Sequence, residues 1–193
     1  LRAAPPPSVQ PTAMLATSTL TGLPIDRLQM QRQLEAQHGV GNAIIRSFRQ
    51  KASVGVSLPG SVADFDSTTP KGQAARYMVR QGTATPLGVH QDNVTINAVG
   101  AASLGRRRLQ STSAGVTINV TISTADDVSA SLTSSNFSSA FSDSYIGAAA
   151  TVPRQIARTV SHRDMALLAS QAKTVKNQQV VITLPADIAA VYP

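Results

Sequence analysis

Between residues 53 and 58, Val54, Val56 and Leu58 alternate with Ser53, Gly55 and Ser57. A period of two is what a strand with one buried face requires, because successive side chains leave opposite sides of the backbone. The pattern returns twice. Val94, Ile96 and Ala98 alternate with Asn93, Thr95 and Asn97, and Val116, Ile118, Val120 and Ile122 alternate with Thr117, Asn119 and Thr121. The last run is the longest and the strongest strand signal in the chain. Pro59 and Gly60 stop the first run, and the Gly, Ser and Arg stretch over residues 100–114 predicts a hairpin loop between the second and third.

Helical spacing fills the gaps. Thr69 followed by Pro70 predicts a helix start, and Ala74, Ala75, Met78 and Val79 form an apolar stripe that runs to about Gly82. Thr124, with Asp126 and Asp127 set against the positive end of a helix dipole, predicts another start. Val128, Leu132, Phe137 and Phe141 would then face the sheet. A last strand has two candidates, residues 156–161 and 180–184, with a helix over 163–173 between them. Hydrophobicity favours the second. The expected class is α+β: an antiparallel sheet of about four strands with two helices on one face, a ferredoxin-like split β-α-β arrangement.

The first fifty residues read differently. Pro5, Pro6, Pro7 and Pro11 predict an extended arm, followed by a strand-like stretch over 15–20. Pro24 suits the first turn of a helix with Leu28 and Leu34 on a narrow apolar face, broken at Gly39 and Gly41. A second segment, 42–50, carries Ile44, Ile45 and Phe48 at helical spacing and is a candidate partner surface. Three parts result: an arm with a helical extension (1–50), a central α+β domain (51–161), and a C-terminal helix and strand (162–193) that could complete the sheet.

Composition narrows the functional classes. At 193 residues and 42% hydrophobic the chain can bury a core, but aromatic content of 4% without Trp predicts a thin one. The absence of Cys removes disulfides and thiolate metal sites without deciding the compartment. Net charge is +7, and Glu35 is the sole glutamate. Such a surface fits an acidic protein neighbour; the aromatic residues interleaved with basic ones that nucleic-acid binding calls for are missing, although nucleic acid stays open as a partner. No apolar run reaches the roughly 18 residues that span a bilayer. An opening Leu1 rather than Met fits an upstream segment that has been removed or left out.

Candidate chemistry is sparse. His38, His90 and His162 are too scattered for zinc. Ser161, His162 and Asp164 are sequence neighbours, which does not make a triad. Asp64 and Asp66 suit turns and caps better than a calcium loop, and Gly39-Val40-Gly41 lacks the third glycine of a dinucleotide loop. No catalytic residue, cofactor or metal is expected. Three sequons stand out at Asn93, Asn119 and Asn136. The tribasic run Arg106, Arg107 and Arg108 is a candidate processing site or anionic-partner loop.

The order of several segments carries a resemblance: Val54-Gly55-Val56-Ser57-Leu58, Phe65-Asp66 ahead of a helix, Leu87-Gly88-Val89, Asn93-Val94-Thr95-Ile96, then Gly105-Arg106-Arg107-Arg108-Leu109-Gln110 and the long alternating strand. Residues 53–145 resemble the SEA-like, ferredoxin-like extracellular repeat modules of green-algal and protist surface proteins. That likeness implies an ectodomain with a role in adhesion or filament assembly at the cell surface, ciliary or wall, and no catalysis. The alternative is a basic accessory subunit of an organellar membrane complex or ribosome, its Pro-rich arm threading between subunits.

Overall fold

The structure, a computed structural model, describes residues 27–41, 45, 49–102, 115–126, 128–177 and 182–183. Its centre is an antiparallel sheet of three strands, β1 (Gln50–Pro59), β2 (Val94–Ala101) and β3 (Gly115–Thr124), in the order β2-β3-β1. β1 pairs with β3 without interruption from Gln50 opposite Thr124 to Pro59 opposite Gly115. Ala52, Val54, Val56 and Leu58 share the buried face with Val116, Ile118, Val120 and Ile122. Burial of each such Val, Ile or Leu is worth about 2 kcal/mol. A one-residue slip would turn the whole row to water, so this register is strongly specified.

β2 departs from simple alternation. Val94 lies opposite Ile122 and Ile96 opposite Val120, but the next partners are Ala98 with Asn119 and Val99 with Ile118. Asn97 is the extra residue of a β-bulge, which resets the phase of everything after it. Ala98, expected inward, is therefore exposed on the polar face, and the half-buried Val99 takes the inward place.

The apolar face is closed by helices whose buried side chains join those of the sheet in one cluster. α2 (Pro70–Ala84) starts as its sequence requires: the Thr69 hydroxyl accepts from the Gly72 amide at 3.0 Å, and Pro70 occupies the first turn. Ala74, Ala75, Met78 and Val79 are all buried beneath the sheet. The preceding loop is clamped to this helix, with Arg76 Nε donating to the Phe65 carbonyl at 2.6 Å and Gln73 Nε2 to the Ser67 carbonyl at 3.1 Å.

The expected helix start at residues 124–127 is corrected. Thr124 is the buried last residue of β3, and its hydroxyl accepts from the Asp126 amide at 3.2 Å, turning the chain instead of capping a helix. Two helices follow, α3 (Ser129–Thr133) and α4 (Phe137–Ala148), separated where Ser134 adopts an extended conformation. Val128, Leu132, Phe137 and Phe141 are nonetheless all buried. Helix periodicity survives a short interruption that swings both pieces toward the same core.

Residues 156–161 are not a strand. α5 (Arg154–Ala157) and a turn occupy that stretch, leading into α6 (His162–Asn177), which extends beyond the expected 163–173 at both ends. α6 buries Leu168, Ala172 and Val175, so a third long helix joins the two expected on this face. Beyond it, Ile182 and Thr183 bridge to Val56 and Gly55 on the outer side of β1.

α1 (Arg27–His38) buries none of its residues; Leu28, expected on an apolar face, is exposed. Gly39 and Gly41, at φ of 86° and 82°, end the helix with backbone that favours glycine. The expected second helical segment does not extend to residue 50: Ile45 and Arg49 are in neither helix nor strand, and Gln50 opens β1. Residues 1–26, including the Pro-rich arm and the strand-like stretch at 15–20, lie outside the described residues.

Candidate functional site

With one face of the sheet sealed, the other is a plane of short polar side chains. Register builds it row by row. Thr95, Thr121 and Ser53 form one row, Ala98, Asn119 and Gly55 the next, and Gly100, Thr117 and Ser57 the third. Asn97 Nδ2 donates to the Thr121 hydroxyl at 2.6 Å, and the Ser53 and Thr121 hydroxyls approach to 3.4 Å. The bulge therefore does two things: it turns Val99 inward, and it hands Asn97 to the polar plane as a cross-strand donor.

Asn119 stands at the centre of this plane on the middle strand. It is exposed, and its cross-strand neighbours are Gly55 and Ala98, the two smallest side chains available. Its amide thus has open space on both sides. The other two sequon asparagines sit elsewhere. Asn93 closes a 3-10 turn before β2, half-buried, with its Oδ1 accepting from Arg49 at 3.4 Å. Asn136 is exposed at the start of α4, where its side chain makes no capping bond and its carbonyl accepts from Ser139 and Ala140. A shallow groove of ≈ 360 Å³ lies beside it, lined by Pro86, Ser131, Phe137 and Ala140 among others.

Several groups that could perform chemistry are engaged locally. The Ser161 hydroxyl donates to Asp164 Oδ2 at 2.6 Å and accepts from the Asp164 amide at 3.1 Å, a reciprocal cap on α6. Asp64 accepts from the Ser61 amide at 2.8 Å, the Ser61 hydroxyl at 3.0 Å and Lys71 Nζ at 2.7 Å. Burial acts to raise the Asp64 pKa, but the hydrogen bonds from Lys71 and Ser61 and the Lys71 charge outweigh it, leaving the carboxyl below its ordinary 3.8. Asp66 is also lowered, first by the Thr68 amide and then by the Thr68 hydroxyl. His90 and Asp92 pair at 3.3 Å, both well exposed. Among the described residues no three His, Asp or Glu side chains gather to hold a metal. No helix among them is long and apolar enough to cross a membrane.

Of the candidate partner surface, Ile45 is half-buried and tied to α1 through its backbone: its amide donates to Gln31 Oε1 at 3.0 Å, and its carbonyl accepts from Arg27 at 3.0 Å. Ile44 and Phe48 lie outside the described residues, as do Arg106, Arg107 and Arg108. The small neighbours of Asn119 were not singled out by sequence. Gly55 could have been found by aligning two alternating runs in antiparallel register, whereas Ala98 is hidden by the bulge. Comparison of the chain with known protein families, curated proteins and solved structures finds no match.

Proposed function

We propose that this chain is a non-catalytic structural and interaction module of an exported or membrane-associated assembly, working by presenting surfaces to other subunits. The observation that carries this reading is the contrast between the two faces of one sheet. One is sealed by helices, and the other is an open plane of hydroxyls and amides with no titratable group at its centre. A flat, uncharged, hydrogen-bonding plane suits adhesion or stacking better than turnover, which needs concave geometry and convergent polar groups. The engagement of Ser161, Asp164 and Asp64 in caps supports the same view.

In this proposal Ile182 and Thr183 stand for a fourth strand beside β1, giving the ferredoxin-like order in which the first and third strands lie at the centre. The short bridge to Gly55 and Val56 supports it. An N-linked glycan belongs on Asn119, because Gly55 and Ala98 leave room for it on a solvated face.

Glycopeptide mapping of the protein purified from its own cells tests this reading. A hexosamine-containing mass on the Asn119 peptide, removed by peptide N-glycosidase, is the expected result. Unmodified Asn93, Asn119 and Asn136 together with co-purifying RNA would replace it with the organellar accessory subunit. For the absence of catalysis, His162→Ala should leave any background ester hydrolysis unchanged; its loss would reinstate an enzyme.

A further inference from the structure

The turn between α5 and α6 concentrates unneutralised positive charge. From Ser144 to Lys173 the chain carries Arg154, Arg158, Arg163 and Lys173 against a single acid, Asp164, which is occupied by Ser161. All four cations are exposed, and neither the Lys71–Asp64 pair nor the His90–Asp92 pair involves them. Arg154 and Arg158 are four apart and joined by a 3.0 Å bond from the Arg158 amide to the Arg154 carbonyl, so their side chains leave the same face of the turn. Arg163 and Leu167 have the same spacing on the outer face of α6, and Leu167 is one of the few large apolar side chains left 44% exposed.

The backbone beneath these arginines is held firmly. Val152 and Val160 bury themselves on either side of the turn. The amides of Ile156 and Ala157 both bond the Pro153 carbonyl, those of Thr159 and Val160 bond the Ile156 carbonyl, and the Thr159 hydroxyl adds a bond to Ile156 at 2.8 Å. A cationic surface on a fixed frame loses little conformational entropy when it docks.

We propose that this corner is a docking surface for an acidic protein segment that pairs carboxylates with Arg154, Arg158 and Arg163 and places an apolar side chain against Leu167. Guanidinium groups favour this partner because their planar forks match carboxylates two bonds at a time. A membrane is disfavoured, since one exposed leucine offers little to insert. Nucleic acid is disfavoured because no Phe, Tyr or Trp lies between Arg154 and Lys173, leaving the His162 ring as the one surface on which a base could stack. Residues 1–193 do not supply that segment themselves: the acids outside the described residues are Asp26, Asp127 and Asp187, too far apart in sequence to form an acidic run.

This inference rests on the chain being an interaction module, but its test is independent of compartment, because an unglycosylated protein can still bind a peptide. The full chain is titrated with a fluorescein-labelled peptide of repeated Glu-Glu-Leu units, alongside phosphatidylserine vesicles and a single-stranded RNA. The triple variant R154E/R158E/R163E should bind the peptide at least about tenfold more weakly, and R32E/R49E/K51E, with the same change in charge, less than about threefold. The milder R154Q/R158Q/R163Q, which keeps side-chain length, should fall between them, and circular dichroism confirms that each variant is folded. Equal weakening by both Glu triples would reduce the effect to net charge and overturn the proposal. So would peptide binding unchanged in the corner variant, or tighter corner-dependent binding of the vesicles or the RNA.

Discussion

At the scale of single residues, two glycines in α2 show how closely this helix is packed. A Cβ on Gly72 would fall onto the backbone of Asp66, in the loop that Thr69 and Arg76 hold in place. A Cβ on Gly82 would meet Phe141 Cε2 at 3.0 Å and Tyr145 Cβ at 3.1 Å, where α2 and α4 lie against each other. Alanine gains about 1 kcal/mol of helix propensity at either site, so the sign depends on whether the neighbour can give way. At Gly82 relief takes a shift of α4 by a few tenths of an ångström, since Tyr145 Cβ and Cα, at 3.1 and 3.3 Å, move only with that helix. At Gly72 a backbone carbonyl held by its own hydrogen bonds would have to move much further. Gly72→Ala is therefore expected to destabilise by about 3 kcal/mol and Gly82→Ala by about 1 kcal/mol or less, as read from urea unfolding midpoints.

Asp64 ties the same loop to α2, and its lowered pKa makes the tie pH-dependent. A carboxyl whose folded value lies below its unfolded one adds stability above the unfolded value, and that stability is lost as pH falls through the folded value. The advantage of the native protein over Asp64→Asn should be about 1 kcal/mol near pH 6 and shrink steadily below about pH 4. An advantage that grew in acid would contradict the arrangement with Lys71 and Ser61. Tyr145 works in the opposite direction. Burial, then the nearby Asp64 charge, raises its phenol above the ordinary 10.0. Below about pH 10 that neutral phenol costs nothing, and stability drains away as alkali ionises the unfolded chain first. Its phenolate absorbance should appear only together with unfolding.

At the scale of elements, the bulge in β2 makes the sharpest distinction between reading the sequence and knowing the fold. Strict alternation from Val94 would put Ala98 inside and Val99 outside, and the observed register does the reverse. Ala98→Lys should change stability by less than about 0.5 kcal/mol, whereas Val99→Lys should cost about 2 kcal/mol. Chemical denaturation of the pair checks this directly, and the opposite ranking would remove the bulge. What alternation did reveal was substantial: β1 and β3, the Thr69-Pro70 start of α2, and the burial of Val128, Leu132, Phe137 and Phe141. The break between α3 and α4 was not legible, because it depends on an extended Ser134 rather than on a Pro or Gly. α5 was mistaken for a strand candidate because its four residues are too short to display a helical period.

For the molecule as a whole, the polar plane and the arginine corner are products of where the core is. Helices occupy one face of the sheet, so the sequons on β3 and at the start of α4 emerge toward water, and Val152 and Val160 anchor the turn that displays Arg154 and Arg158. Sequence alone found the asparagines, since a sequon is a local pattern. It did not find the arginine corner, whose coherence depends on folding residues 154–163 into a turn. Both proposals inherit one physical claim: β3 is the middle of a sheet with one face sealed and both of its long edges paired.

Amide hydrogen exchange followed by mass spectrometry on the full chain tests that claim most directly. The amides of β3 should be the slowest in the protein, exchanging only through global unfolding, with those of β2 faster because β3 is the strand's sole partner among the described residues. Exchange of Gly115–Thr124 as fast as that of the exposed α1 would contradict the one-sided sheet, and the proposed surfaces with it.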